Sequence, residues 1–509
     1  MVLCAARHIL RSFAPRGYVV SPRQFSTLKP SDQTRFSYYL SSKACLSDGP
    51  HNLLDKLQRN AVLENPKGHN AAVVLATPDL AKQLDDQDFT SSLVKLLSAS
   101  AHICNFHLLC AIVDNVAPAL GEPVPMPGIS VLRGELDTLL PQLWQQPDPS
   151  PEVMEKDSVA ALTFKVGMSS QTLPLTRTTF LNNRASTLLA SRYNLTQGNP
   201  KLEEWGEKQW QHVHVAIDRP AQSVADFSLW APLSPVTRAR KITKSFGNIV
   251  RGIDVNGKST PASTELEDSV NRISMHRVAA EATSGPMGVW ALITPEKPQA
   301  SSWSTGDAPD PAAILDGQAM SRRDIESTAS YLQQQHQAGS RFYQVLSGGG
   351  GWGPKKGLLS LDPQELYFAL SEEEQMEKFM QSMNNKVSGF APPGAHIQFF
   401  VPAMASPELA ASSATGVSFG VPWVSDTPCK VDATKKGYLV ADHFGALSSQ
   451  GVYLSVLPNA EAHSHQDSKL SVPGSRVFIS NGETKTRGGL ARFLGGGGGL
   501  PDAGTIAMM

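Results

Sequence analysis

The residues best suited to chemistry sit in the stretch LSGGGGWGPKKGLLSLDP, where Gly348, Gly349, Gly350, Gly351, Trp352, Lys355 and Lys356 follow a strand-like run. Consecutive glycines let backbone N–H groups converge on an anion, and two lysines can neutralise it. The stretch is not a P-loop, because no Gly-Lys-Ser/Thr opens a helix at its end. Nor is it a dinucleotide fingerprint, since Pro354 and the run from Gly357 to Leu361 leave no helix N-terminus for a pyrophosphate. It reads as a ligand-contacting or partner-contacting loop, or as a structural loop anchored by Trp352. A second group, Arg238, Arg240, Lys241 and Lys244, places four cations in seven residues, with Phe246 able to stack on a base. It is either a solvated helix or loop surface or an RNA contact.

Other constellations carry less. His102, Cys104, His107 and Cys110 are zinc-type ligands, but a buried strand over 106–113 would put His107 and Cys110 on opposite faces, so no metal site is assigned. His212 with His214, and His463 with His465, lack neighbouring Cys or carboxylate partners. Gly128-Ile129-Ser130-Val131-Leu132 lacks the second glycine of a nucleophile elbow, and no catalytic residue is assigned. The polar segment from Leu173 to Arg184 reads as a hydrogen-bonded turn or a binding loop.

These groups stand in a chain of 509 residues, 41% hydrophobic and 18% charged, with 40 Gly and 36 Pro. That length suggests two to four domains. Gly without a triplet period, absent heptads and ordinary apolar content exclude collagen, coiled coil and a wholly disordered chain. No uninterrupted apolar window reaches the length of a membrane-spanning helix.

The N-terminus carries Arg7, Arg11, Arg16, Arg23 and Lys29 before the first acidic residue, Asp32, while Leu3, Ala6, Leu10 and Phe13 recur at helical spacing. One apolar and one cationic face is the composition of a mitochondrial presequence, expected over residues 1–25. Arg23, Gln24 and Phe25 before Ser26 match a matrix processing pattern and predict Ser26 as the mature N-terminus. The processed chain would hold 41 basic and 46 acidic residues, too acidic overall for a general polyanion binder. The remaining cysteines, Cys45, Cys104, Cys110 and Cys429, form no CxxC pair and are expected to be reduced.

Along the chain, residues 32 to about 60 read as a helical lead-in to an α/β domain over 32–150. AAVVLA at 71–76, a helix through Leu93, Leu96 and Leu97, FHLLCAIVDNV at 106–116 and GISVLRGEL from Gly128 predict an α/β layer with a partly parallel sheet. Residues 159–294 read as β-rich, 295–322 as a low-complexity linker or insertion, 323–480 as α+β, and 485–509 as a disordered Gly-rich tail. Within 323–480 the pattern gives a helix ending near Gly339, a helix capped by Ser371 and Glu374, and strands in HIQFFVPAM, GVSFGVPWV, GYLVADHF, GVYLSVL and RVFIS. The fold class is therefore α/β, mixed α+β, with a β-rich second half carrying the Gly-rich loop.

The order of AAVVLATPDL, its following helix, FHLLCAIVDNV and GISVL resembles the N-terminal part of FIST-domain proteins over roughly residues 60–140. The presequence and low-complexity insertions resemble those of filamentous-fungal mitochondrial precursors. The first resemblance implies a ligand-sensing α/β module and assigns no functional residue or cofactor. Together these features predict a mitochondrial matrix protein that binds a small anionic ligand or a protein partner. A gene-expression factor touching RNA or the mitoribosome is the alternative, and an enzyme of unknown reaction the third.

Overall fold

The computed structural model describes residues 33–40, 50–58, 68–99, 103–118, 127–145, 158–167, 169–196, 198–216, 227–279, 287–296, 308–318, 320–348, 357–364, 390–403, 416–423, 437–456 and 466–479. The presequence residues Arg23, Phe25 and Ser26, the glycine-loop residues 349–356, the helix expected after Ser371 and the C-terminal tail lie outside them.

Ala71–Ala76 and Asn105–Ile112 pair in parallel, and Gly128–Gly134 joins Ala71–Ala76 antiparallel, so the expected partly parallel layer is present. These strands are too apolar to alternate because both faces are covered. Val73, Leu75, Leu109, Ala111 and Leu132 point into one core. Ala72, Val74, Leu108, Cys110 and Val131 point into another, with Leu53, Leu57, Phe89, Leu93 and Leu97 from two flanking helices. The second of these helices, Gln87–Leu97, starts at Asp86, whose carboxylate accepts from the Asp88 amide. At its other end the buried Arg133 guanidinium donates to the Leu97 carbonyl at 3.2 Å and to Thr34 Oγ1 at 3.0 Å. Burial lowers the pKa of Arg133 to about 10, which leaves it cationic and suited to a helix C-terminus.

The central sheet has seven strands, in the order Lys201–Glu207, Leu188–Asn194, Asn105–Ile112, Ala71–Ala76, Gly128–Gly134, Thr34–Tyr39 and Tyr438–Ala441. Thr34–Tyr39 corrects the expected helical lead-in. It is a strand because its full length pairs with Gly128–Gly134, and among the described residues of that region only Pro50–Gln58 is helical. Two five-stranded sheets, one containing Ala161–Val166 and the other Gly416–Gly420 and His443–Leu447, share the first core. Phe164 and Phe419 stack across it at 4.2 Å between ring centroids.

A barrel packs against these sheets. Arg240–Phe246, Ile249–Val255, Leu359–Leu361, Arg341–Gly348, Trp290–Thr294 and His396–Pro402 pair antiparallel in that order, and the last pairs back to the first. One face of its strands feeds a single core through Ile242, Val250, Ile253, Ile293, Tyr343, Leu359, Ile397 and Phe399. Trp290, Leu292, Phe342 and Phe400 face the first core and fasten the barrel to the sheets. The helix Arg322–Gln337 is held by a capping box between Ser321 and Asp324, and those hydrogen bonds keep the Asp324 carboxyl below its ordinary pKa. Part of the expected linker is ordered: Ala312–Leu315 is helical with Ile314 buried, and the Pro309 carbonyl accepts from Gln398. Among the described residues no helix is long and apolar enough to cross a membrane.

Candidate anion-binding end of the barrel

The basic segment that read as a helix or loop surface is a barrel strand, Arg240–Phe246, because its apolar residue Ile242 is matched across the ladder by Ile253. Its cations differ in what they face. Arg240 donates through Nε and Nη2 to both Glu265 oxygens at 2.7 to 3.2 Å, and these bonds hold its pKa above the ordinary value. Lys241 Nζ lies 2.7 Å from Glu296, and Arg238, mostly exposed, lies 3.7 Å from Asp310. Lys244 is exposed and has no carboxylate partner among the described residues, and the same holds for Arg251 and Lys258 on the next two strands.

Register joins this strand to the glycine loop. Lys244 is opposite Gly252, Gly252 is opposite Pro261, and a side chain at Gly357 would strike the Pro261 ring. Gly357 has φ +84°, a conformation only glycine adopts freely, and its carbonyl accepts from the Ser263 amide at 3.2 Å. Gly252 also leaves room above it for Thr243 Oγ1 and Ser259 Oγ to meet at 2.7 Å. The loop begins at Gly348, paired with Leu359, and returns at Gly357. Gly349, Gly350, Gly351, Trp352, Lys355 and Lys356 are outside the described residues, but Lys356 is covalently next to Gly357. One row across three strands therefore leads from Lys244 to the loop's return point, with Arg251 next to it on the middle strand and Lys258 three rungs away opposite Val255. Phe246, 75% exposed, ends the same strand as Lys244.

The structure also brings together a group that no sequence motif joins. Ser37 Oγ lies 2.7 Å from His443 Nδ1 and 2.8 Å from Ser130 Oγ, and the Gly445 amide donates to Ser130 Oγ at 3.0 Å. The Tyr39 hydroxyl donates to the Ala117 carbonyl at 2.6 Å and stands 3.5 Å from His443 Nδ1. His443 Nε2 is buried and has no hydrogen-bond partner among the described residues. Burial, with Arg35 nearby, lowers the pKa of His443 to about 4, so the ring is neutral at pH 7. A serine hydroxyl against an imidazole is the geometry of a nucleophile and its base. Here both serines are fully buried, so in this conformation the group acts as a polar lock between the central sheet and the sheet carrying His443. Its sequence signal was slight: Ser37 interrupts Phe36 and Tyr38, and Ser130 interrupts Ile129 and Val131.

The remaining candidates take structural places. His107 Nδ1 accepts from Trp144 Nε1 at 2.9 Å, Cys104 is exposed, and burial pushes the Cys110 thiol up to about 12. His102, His463 and His465 lie outside the described residues. His212 and His214 stand on the strand Trp210–His214, whose register pairs them with Thr163 and Lys165. Between Leu173 and Arg184, Thr178 Oγ1 bonds Thr187 Oγ1 at 2.8 Å, Asn182 Nδ2 donates to Thr187 Oγ1 at 2.9 Å, and Asn183 turns the chain at φ 62°. Those hydroxyls and amides are spent on a hydrogen-bonded turn. Among the described residues no three His, Cys, Asp or Glu side chains gather as metal ligands would. No protein-family model matches the sequence, and no curated protein or solved structure matches it either.

Proposed function

We propose that this is a mitochondrial matrix protein that binds an anion, a small ligand or an acidic partner surface, at the end of the barrel where the glycine–lysine loop is anchored, and that it works by binding rather than catalysis. The observation that carries the reading is the row from Lys244 through Gly252 and Pro261 to Gly357. It links Lys244 and the neighbouring Arg251, which have no carboxylate partner among the described residues, to Gly357, where the loop that carries Lys355 and Lys356 in sequence returns. Clustered cations raise the local concentration of anions, and glycine backbone amides supply donors at no steric cost. The resemblance of residues 60–140 to FIST-domain sensory proteins supports a ligand-binding role, and the acid-free N-terminus supports the matrix address.

Isothermal calorimetry with inorganic pyrophosphate as the probe tests this. Lys355→Ala with Lys356→Ala is expected to weaken binding at least about tenfold, since a charge-assisted hydrogen bond contributes roughly 1.5 to 3 kcal/mol. The melting temperature is expected to stay unchanged, and equal binding by the variant would remove the loop from the site. Exposed Phe246 beside Lys244 favours a second reading, an RNA contact made by stacking plus phosphate neutralisation. That reading requires affinity for a single-stranded oligonucleotide to fall steeply with salt and to drop in Phe246→Ala. Mass spectrometry of the native N-terminus checks the address, with Ser26 expected and Met1 contradicting it.

A further inference from the structure

The strand Lys201–Glu207 ends the central sheet and, among the described residues, pairs on one side only, with Leu188–Asn194. Lys201, Glu203, Trp205 and Glu207 form its exposed face, while Leu202, Glu204 and Gly206 are half-buried. An open edge of this length is a template for another strand, and charges along it usually prevent pairing. Here the charges are arranged so that one copy of the strand complements another. We propose that Lys201–Glu207 is the two-fold interface of a homodimer, pairing antiparallel with the same strand of a second copy in the register that sets Lys201 opposite Glu207.

A two-fold axis through a sheet edge makes paired strands antiparallel and keeps each face on its own side. With the axis at Glu204, Lys201 meets Glu207 twice, Glu203 lies opposite Trp205, and Leu202 lies over Gly206. Around Gly206 a side chain would find nothing within 4 Å. The two Glu204 side chains that meet on the axis are each held by their own Arg192 at 3.1 Å. Moving the axis to Glu203 sets Glu203 against Glu203, and moving it to Trp205 sets Glu203 against Glu207 twice. Cross-strand opposite charges stabilise and like charges destabilise, and of these three registers only the axis at Glu204 sets opposite charges against each other.

The flank supplies apolar area. Phe180, fully exposed, and Leu181 project from the turn Thr179–Asn182, and Trp205 is 50% exposed. Arg184, just after that turn, stacks on the Trp205 ring at 5.2 Å and donates to Glu207 at 2.6 Å and to Asp85 at 3.0 Å. Aromatic anchors held rigidly beside an arginine are typical of residues that carry interface energy. A strand from an unrelated protein would have no reason to match this charge order, whereas a second copy matches it by symmetry.

Sedimentation velocity on the full chain across the micromolar range tests the proposal, with far-UV circular dichroism and the melting temperature confirming that each variant is folded. The wild type is expected to dimerise. Lys201→Glu turns two attractive pairs into two repulsive ones and is expected to weaken the dimer at least about tenfold. Lys201→Arg, which keeps the charge and touches no side-chain bond among the described residues of the subunit, should leave the dimer intact. A wild type that stays monomeric overturns the proposal. So does a dimer indifferent to Lys201→Glu, or one that Lys201→Arg weakens as much. Pyrophosphate binding at the barrel is a separate readout, so either conclusion can fail alone.

Discussion

Replacing Gly445 by alanine is expected to cost the protein at least about 3 kcal/mol of stability, the upper end of what overpacking a well-filled interior does. Gly445 lies in His443–Leu447, in parallel register with Ser418 of the neighbouring strand. A Cβ there would be driven into the Ser418 backbone carbonyl and would also press on the Ala117 methyl group. Backbone atoms inside a ladder cannot step aside as a flexible side chain can, so the strands must separate. The same shift would pull the Gly445 amide from Ser130 Oγ and disturb the contact between Ser37 and His443. Urea unfolding reads the effect as a lower midpoint at unchanged slope. An unchanged midpoint would mean that the two strands do not approach each other this closely.

That glycine was not legible in the sequence, and the reason separates what could be read from what could not. Ala71–Ala76, Asn105–Ile112 and Gly128–Gly134 announce themselves because both faces of each strand are buried, which demands continuous apolar residues. Arg322–Gln337 announces itself through its pattern and its stop near Gly339, local signals. Thr34–Tyr39 does not, because its mixture of Arg, Phe, Ser and Tyr answers to a partner strand about ninety residues away. The barrel is hidden for the same reason: it closes only when Arg240 pairs with Ile397. Lys244 and the glycine loop were each visible, but the row from Lys244 to Gly357 rests on two ladder registers and one packing contact. Ser37 and His443 stand 406 positions apart, and only the packing of two sheets brings them together.

His443 gives the second large effect, a loss of stability in mild acid. In the folded protein its pKa is lowered to about 4, by burial first and the positive charge of Arg35 second, whereas the unfolded chain titrates near the ordinary 6.5. Because the unfolded state takes up the proton first, the stabilisation from the neutral ring is fully present above about pH 6.5 and is lost as pH falls towards 4. The separation of the two pKa values corresponds to about 3 kcal/mol. The groups that face the ring do nothing to offset it. Ser37, Ser130 and Tyr39 are neutral, and Arg35 opposes the imidazolium. Burial lowers His107, His214 and His396 as well, so part of the acid loss has other sources of the same sign. His443→Asn separates them. Its amide can keep the contact to Ser37 that Nδ1 makes, carries no titrating proton, and removes the unpartnered Nε2. The variant is expected to be less stable than the wild type at pH 7, and the gap between them to shrink by about 3 kcal/mol between pH 7 and pH 4. Parallel stability curves over that range would show that the ring is solvated or paired in the folded state, and the lock between the two sheets would then be open to water.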